Sequence, residues 1–200
     1  MSYSQNNEEE IIGQWFKKFG NASPGRLLEI GAYHPKDNSN TFALIAAGWS
    51  GVLVEPSPHS FLTLLDHYQN NPNVTLVNAA ISMTAETFPF YDSVKPTGVS
   101  TLSEKHRQKW SKDVTYRKYW LHTMPLAALF ATFGYDFDFV NIDVESNNLS
   151  LFSNLPFESL KKTKLICVEH DSHDSTMIRI AEANGFVVIG RNSENILFGR

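Results

Sequence analysis

The sequence contains a single cysteine, Cys167, and this scarcity excludes two kinds of protein. One thiol cannot form a disulfide framework within the chain, and it cannot supply a multi-cysteine zinc site. Cys167 stands in the apolar run 165–168, so we expect it to be a buried and unreactive core thiol.

The sequence also lacks long apolar runs and an excess of positive charge. No stretch of about 18 apolar residues is present, which predicts that no segment spans a membrane. The first ten residues lack the basic and apolar regions of a signal peptide, so we expect a cytoplasmic protein. The 17 Lys and Arg residues are outnumbered by 21 Asp and Glu residues, and a net charge of −4 argues against non-specific binding of nucleic acid.

What the sequence does have is an alternation of strand and helix patterns, over a length that suits one domain. Apolar residues three and four apart predict a first helix over 8–19, which the run from Gly20 to Gly25 ends. Strands are predicted at 26–30, 51–54, 74–77, 139–142, 165–168, 186–189 and 195–198, and further helices at 41–47, 58–70, 125–133 and 175–184. This order predicts an α/β, Rossmann-like fold with a mostly parallel seven-stranded sheet and an antiparallel edge hairpin made by the last two strands.

Residues 82–123, which we call the mid-chain segment, interrupt this alternation and are predicted to be an insertion. A short strand is expected at 88–91, followed by a charged arm over 104–120. The arm interleaves cations with aromatic rings: Lys105, Arg107, Lys109, Lys112, Arg117 and Lys118 with Trp110, Tyr116, Tyr119 and Trp120. Two interpretations stay open, a solvated helix with its apolar residues turned inward and a lid whose rings and cations contact an acceptor.

Two residues at strand ends point to a nucleoside ligand. Gly31 follows the first predicted strand, and Glu55 ends the second, 24 positions later (55 − 31). An acid at about this spacing accepts hydrogen bonds from a ribose at the carboxyl edge of a doubly wound sheet. The loop after the strand has one glycine, whereas a pyrophosphate needs several. S-adenosylmethionine, which has no phosphate, therefore suits these residues better than a dinucleotide; a structural turn beside a solvated carboxylate is the alternative.

Several segments together resemble the FkbM-type methyltransferase family. The strings Gly31-Ala32-Tyr33-His34-Pro35, Ser39-Asn40-Thr41 and Gly48-Trp49-Ser50-Gly51 resemble its first cofactor motif, Val54-Glu55-Pro56 its ribose motif and Asn78-Ala79-Ala80 its adenine side. Asp143-Val144-Glu145 resembles the Asp-x-Glu-Gly motif, Val168-Glu169-His170-Asp171 the Glu-His-Asn segment, and residues 3–9 the Ser-Gln-Gly-Glu-Asp opening. Three positions depart from the pattern: Ser146 and Asn6 replace glycines, and Asn148 replaces an acid.

The resemblance implies one class I methyltransferase domain over 1–200 with S-adenosylmethionine as its cofactor. The candidate cofactor-binding residues are Glu29, Gly31, Ala32, Tyr33, Ser39, Asn40, Glu55, Pro56, Asn78, Ala79, Ser100 and Asp143. Ser39 and Asn40 equally suit the N-cap of the helix predicted at 41–47.

Acidic side chains follow two further strands, and we expect them to converge on the methyl acceptor. Asp143 or His170 is the expected general base, because a neutral hydroxyl is a poor nucleophile. Glu145 and Glu169 are expected to shape the acceptor pocket. Asp143, Glu169 and His170 are also candidate ligands for Mg²⁺ or another divalent cation, the alternative being hydrogen bonds among the carboxyl groups.

Three hypotheses for function follow. The first is O-methylation of a sugar or glycan hydroxyl, free or nucleotide-linked. The second is methylation of nucleic acid or another polyanion through the basic arm, which the net charge disfavours. The third is a cofactor-binding module without turnover. A homo-oligomer is compatible with all three.

Overall fold

A computed structural model describes residues 3–19, 24–95 and 97–200, and it contains the predicted parallel sheet. The strands are β1 (Arg26–Ile30), β2 (Ser50–Val54), β3 (Val74–Val77), β4 (Ile81–Ser82), β5 (Thr87–Ser93), β6 (Tyr116–His122), β7 (Met124–Pro125), β8 (Phe139–Ile142), β9 (Leu165–Glu169), β10 (Val187–Arg191) and β11 (Asn195–Gly199). The helices are α1 (Glu8–Lys17), α2 (Phe42–Ala46), α3 (Pro58–Tyr68), α4 (Glu104–Trp110), α5 (Leu126–Phe133), α6 (Asn148–Ser153) and α7 (Asp174–Ala183). The predicted stop of the first helix at Gly20 lies outside the described residues.

Seven strands form the main sheet in the order β10-β11-β9-β8-β1-β2-β3. Strands β3, β2, β1, β8 and β9 are parallel, whereas β11 runs antiparallel to β9 and pairs with β10 as a hairpin. The α/β class, the mostly parallel sheet and the antiparallel edge hairpin are therefore confirmed. The chain leaves β1 towards β2 on one side and returns to β8 on the other, so the switch point of the sheet lies between β1 and β8.

Helices cover both faces of the sheet, which explains why its central strands are mostly apolar, with Glu29 of β1 and Asn141 of β8 as buried polar exceptions. On one face, α5, α6 and α7 pack against side chains such as Ile30, Val140 and Ile142. On the other face, α1, α2 and α3 pack against Leu27, Phe139 and Cys167. Cys167 is buried as expected, and burial raises the pKa of its thiol. Within the described ranges, no helix has the length and apolar character needed to cross a bilayer.

The predicted charged arm is the main error in the predicted elements. Its first part is the helix α4, but residues 116–122 form the strand β6, which pairs with β5 over seven residues. Aromatic side chains favour a pleated strand, and the register sets Tyr119 beside Phe90 and Leu121 beside Phe88. The interpretation of the whole arm as one helix is therefore wrong. The helix α6 was not predicted, because its six residues are too few to show a helical period.

Gly31 connects β1 to the next loop at a point where no side chain fits. Its φ is +92°, a left-handed value, and a Cβ built there would lie 1.6 Å from the carbonyl oxygen of Asp143. The backbone after β1 therefore touches the backbone after β8, and only glycine permits this approach.

We predict that Gly31→Ala lowers the free energy of unfolding by roughly 3 kcal/mol, because both the backbone angle and the clash must be relieved. The control is Gly13→Ala in α1, where a Cβ meets nothing within 4 Å. That change should raise stability by about 0.5–1 kcal/mol. Urea denaturation measures both, and a Gly31→Ala variant as stable as the parent would contradict the close backbone approach.

Candidate active site

A cavity of about 830 Å³ opens at the carboxyl ends of the central strands. It lies at the switch point of the sheet, where ligands of doubly wound folds bind, and its size is within the roughly 300–1,000 Å³ usual for small-molecule sites. The predicted site residues that line it are Glu29, Gly31, Ala32, Tyr33, Asn40, Glu55, Pro56, Ala79, Ser100, Asp143, Glu145, Glu169 and His170.

Two predicted cofactor residues, Ser39 and Asn78, are not part of this lining, and both make hydrogen bonds next to it. Ser39 Oγ accepts a hydrogen bond from the backbone N–H of Phe42 at 3.0 Å, so Ser39, two residues before the N-cap Thr41, pairs with the first N–H of α2. Asn78 Nδ2 donates to the carbonyl oxygen of Glu55 at 2.8 Å. Both residues therefore support the loops that line the cavity.

Glu55 ties together the loops that follow β1 and β2. Its Oε2 accepts the backbone N–H of Tyr33 at 2.8 Å, and its Oε1 accepts the backbone N–H of Ser57 at 2.7 Å. Burial raises the pKa of Glu55 to about 7, against the opposing effect of these two hydrogen bonds. Because each carboxylate oxygen has two lone pairs, both oxygens can still accept hydrogen bonds from a ligand.

A second buried acid, Glu29, lies below the loop after β1. The hydroxyl of Thr41 donates to its Oε2 at 2.7 Å, and Asn141 Nδ2 donates to its Oε1 at 3.3 Å. Burial raises the pKa of Glu29 to about 8. Asn40 continues this network by donating to Asn141 Oδ1 at 3.2 Å. The sequence analysis missed Asn141, although a lone polar residue in a buried apolar strand is a usable signal.

Three carboxyl groups converge beyond β8 and β9. One oxygen each from Asp143, Glu145 and Glu169 lie within 4.8 Å of one another. Burial, and then repulsion between these groups, raises the pKa of both Asp143 and Glu169. Like charges this close cannot all ionise in a buried site, so the Asp143–Glu169 pair retains a proton near neutral pH.

Asn148 organises this cluster from α6. Its Nδ2 donates to Glu169 Oε2 at 2.6 Å and to Asp171 Oδ2 at 2.8 Å, while its Oδ1 accepts the backbone N–H of Val144 at 2.8 Å. This is the position where the sequence departs from an expected acid. A neutral amide provides the hydrogens that a further carboxylate would lack, and it adds no negative charge.

His170 lines the cavity, but its hydrogen bonds do not suit a base. Its Nδ1 accepts the backbone N–H of Ser172 at 3.1 Å, so in the neutral ring the proton resides on Nε2. That Nε2 is buried and has no hydrogen-bond partner in the part of the chain that the structure describes. Nor is His170 in the group of acids that could hold a metal ion. Asp143 is therefore the better placed of the two predicted bases.

The mid-chain segment contributes residues such as Phe90 and Ser100 to the cavity lining, and it contacts Glu145. His106 Nε2 lies 2.8 Å from Glu145 Oε2, and the Thr101 hydroxyl donates to the Glu145 carbonyl oxygen at 2.8 Å. Glu145 and Ser146 both have left-handed backbone angles, with φ of 55° and 83°. Ser146 thus adopts the conformation that the expected glycine would adopt without strain, and the contacts from Thr101 and His106 hold the preceding residue, Glu145.

The fold can be compared with solved structures. A precorrin-6y C5,15-methyltransferase from Geobacter metallireducens GS-15 has a TM-score of 0.51 and 13% identity, with 96% of this chain and 87% of that chain covered. A candidate RNA methyltransferase from Pyrococcus horikoshii has a TM-score of 0.50 and 10% identity, with 98% and 84% covered. Identities this low show a shared fold alone.

Comparisons by sequence give a family and no individual relative. A search of curated proteins finds no match to this chain. The family model of the methyltransferase FkbM domain matches residues 29–188, which contain β2, β3, β8 and β9 of the main sheet in full but leave out the start of β1, most of β10 and all of β11. The chain therefore belongs to the FkbM methyltransferase family.

Proposed function

We propose that this protein is an S-adenosylmethionine-dependent O-methyltransferase whose acceptor is a hydroxyl group of a sugar or glycan. The observation that supports it best is the position of Asp143. This partly buried acid has a raised pKa, lies at the switch point beside Gly31, and is surrounded by other hydrogen-bond acceptors.

The residues on the β2 side of the cavity fit the nucleoside half of the cofactor. Gly31 has no side chain to keep a ligand away from the backbone. The carboxylate of Glu55 can accept hydrogen bonds from the two hydroxyls of a ribose. Pro56 and Ala79 give an apolar surface nearby for a base. When bound, the cofactor supplies the electrophilic methyl group, so the task of the chain is to align the acceptor with it.

The charge of the lining favours an acceptor rich in hydroxyl groups. Among the described residues that line the cavity, eight are acids and one is a lysine, Lys109. The acids are Glu29, Glu55, Asp113, Asp143, Glu145, Glu169, Asp171 and Glu194. Carboxyl groups accept hydrogen bonds from sugar hydroxyls and repel phosphates, so this lining suits a neutral polyol better than a polyanion.

Asp143 is the group we assign to take the proton from the acceptor hydroxyl. Its raised pKa brings it closer to neutrality, where a general base works best. Glu169, which shares its proton with Asp143, can adjust its own charge as Asp143 changes. His106 and Thr101 position Glu145, whose carboxylate can accept a hydrogen bond from the substrate that receives the methyl group.

The basic arm supports a second candidate function, methylation of a polyanion. Four of its cations, Lys105, Lys112, Arg117 and Lys118, are exposed and lie outside the cavity lining. They could therefore dock a large anionic acceptor on the outer surface, although they do not reach the acids at the reaction centre.

The divalent cation stays a prediction. Asp143, Glu145 and Glu169 have the spacing of a cation site, but Glu169 already accepts a hydrogen bond from Asn148. Proton sharing accounts for the closeness of these acids without a metal.

A screen for methyl acceptors tests the proposed function directly. We expect transfer of a labelled methyl group from S-adenosylmethionine to neutral glycosides or glycan fragments, with little change between 50 and roughly 200 mM salt, the range over which polyanion binding weakens steeply. The screen should include RNA and DNA, and each reaction should be repeated with EDTA. Transfer to nucleic acid alone, lost at the higher salt, would support the second candidate instead.

We predict that Glu55→Gln weakens binding of S-adenosylhomocysteine by about tenfold to a hundredfold, the effect of losing hydrogen bonds to a charged group. Titration calorimetry measures it. The control is Glu182→Gln, an exposed acid on α7, which should bind as the parent does. Equal affinity in Glu55→Gln, with unchanged thermal unfolding, would remove the ribose assignment.

We predict that Asp143→Asn lowers kcat for methyl transfer by about 10²–10⁴-fold, the usual contribution of a general base, and leaves S-adenosylhomocysteine affinity within a few fold. In the parent, kcat should rise with pH above neutrality, because the raised pKa keeps the base protonated at lower pH. Asp113→Asn, an exposed acid on the cavity rim, is the matched control. Normal turnover in Asp143→Asn would show that Asp143 is not the base.

A further inference from the structure

The segment of residues 3–7, which precedes α1, is anchored beside the loop that follows β1. The Tyr3 carbonyl oxygen accepts the backbone N–H of Ser39 at 3.1 Å. The Tyr3 ring packs edge-on against Phe42, with 4.5 Å between the ring centroids. The carboxylate of Glu9 accepts the backbone N–H of Tyr3 at 2.7 Å, which curls the segment back onto α1.

The other end of the segment is fixed to the turn between β10 and β11. Glu8 is fully buried, and it accepts hydrogen bonds from the backbone N–H of Asn6 at 2.9 Å and from the side-chain amides of Asn192 at 2.7 Å and Asn195 at 2.8 Å. Burial alone would raise the pKa of Glu8, but these hydrogen bonds and those of its own helix hold the pKa below its usual range. Glu8 is therefore an ionised anchor.

Between these anchors, the segment presents Gln5 to the cavity. Gln5 Nε2 donates to Glu194 Oε1 at 3.0 Å, and Asn6 Nδ2 donates to Glu194 Oε2 at 3.1 Å. Gln5 and Glu194 line the same cavity as Glu55, together with Asn38 and Asn40. In the strand order, β11, which directly follows Glu194, lies on the opposite side of β1 from β2, which directly precedes Glu55. The nucleoside side and this side are thus two ends of one cavity.

The side chains at this end match the amino-acid tail of the proposed cofactor. That tail has an ammonium group, which a carboxylate such as Glu194 attracts, and a carboxylate, to which carboxamide N–H groups donate. We propose that Gln5, held by Glu194, is a positioning residue for the amino-acid tail, and that residues 3–7 form the wall of this subsite. The proposal rests on the proposed function, because it requires S-adenosylmethionine to occupy the cavity.

Two ligands that differ only in the tail test the proposal. S-adenosylhomocysteine has the amino-acid tail, whereas 5′-methylthioadenosine has the same nucleoside without it. Titration calorimetry of the full chain should show that Gln5→Ala lowers the affinity for S-adenosylhomocysteine by about tenfold. This is the effect expected from the loss of one hydrogen bond to a charged group. The affinity for 5′-methylthioadenosine should not change.

Gln14→Ala is the matched control. Gln14 is also an exposed glutamine whose Nε2 donates to a glutamate, Glu10, at 3.2 Å, but it is not part of the cavity lining. This variant should bind both ligands as the parent does, and thermal unfolding should show that all three proteins are equally folded.

The outcomes separate the two proposals. The tail assignment would be overturned if Gln5→Ala bound S-adenosylhomocysteine as the parent does, or if it lost affinity equally for both ligands. Either result would leave the proposed function in place. Failure of the parent to bind either ligand would instead overturn the proposed function.

Discussion

The site depends on buried carboxyl groups that pair with no lysine or arginine among the residues that the structure describes. Glu8, Glu29 and Glu55 are each at least 95% buried, and each accepts hydrogen bonds from backbone N–H groups, hydroxyls or side-chain amides. Desolvation of an acid is costly, and a buried group meets that cost either with hydrogen bonds or by keeping its proton. This chain does both, which is why the pKa values of Glu29 and Glu55 are raised while that of Glu8 is lowered.

The same constraint explains the asparagines around the cavity. Asn148 joins Glu169 to Asp171, Asn141 supports Glu29, and Asn192 and Asn195 hold Glu8. An amide has hydrogens to donate and no charge to add, so it stabilises an acid without neutralising the field of the cavity. The negative electrostatic field of the cavity would attract a cationic cofactor such as S-adenosylmethionine, which agrees with the proposed function.

Local signals in the sequence were sufficient for most of the fold and for the strand-end acids. The strands of the main sheet and the helices beside it have clear hydrophobic periodicity. Parallel strands end at the same edge of a sheet, so the convergence of Gly31, Glu55, Asp143 and Glu169 could be predicted from the order of strands and helices along the chain. The roles of Ser39 and Asn78 did not follow, because a side chain one residue from a cavity can turn either way. The tautomer of His170 depends on Ser172, and the strand β6 depends on its partner β5, so neither could be seen in a local pattern.

The contact between Gly31 and Asp143 has a mechanical consequence. Because the backbones after β1 and β8 already touch, the floor of the cavity cannot contract around a ligand without breaking the sheet. The segment at Gln5 is anchored at both ends, so adjustment to acceptors of different size falls to the mid-chain segment that contacts Glu145. A change of acceptor during evolution would therefore alter the mid-chain segment and preserve the floor.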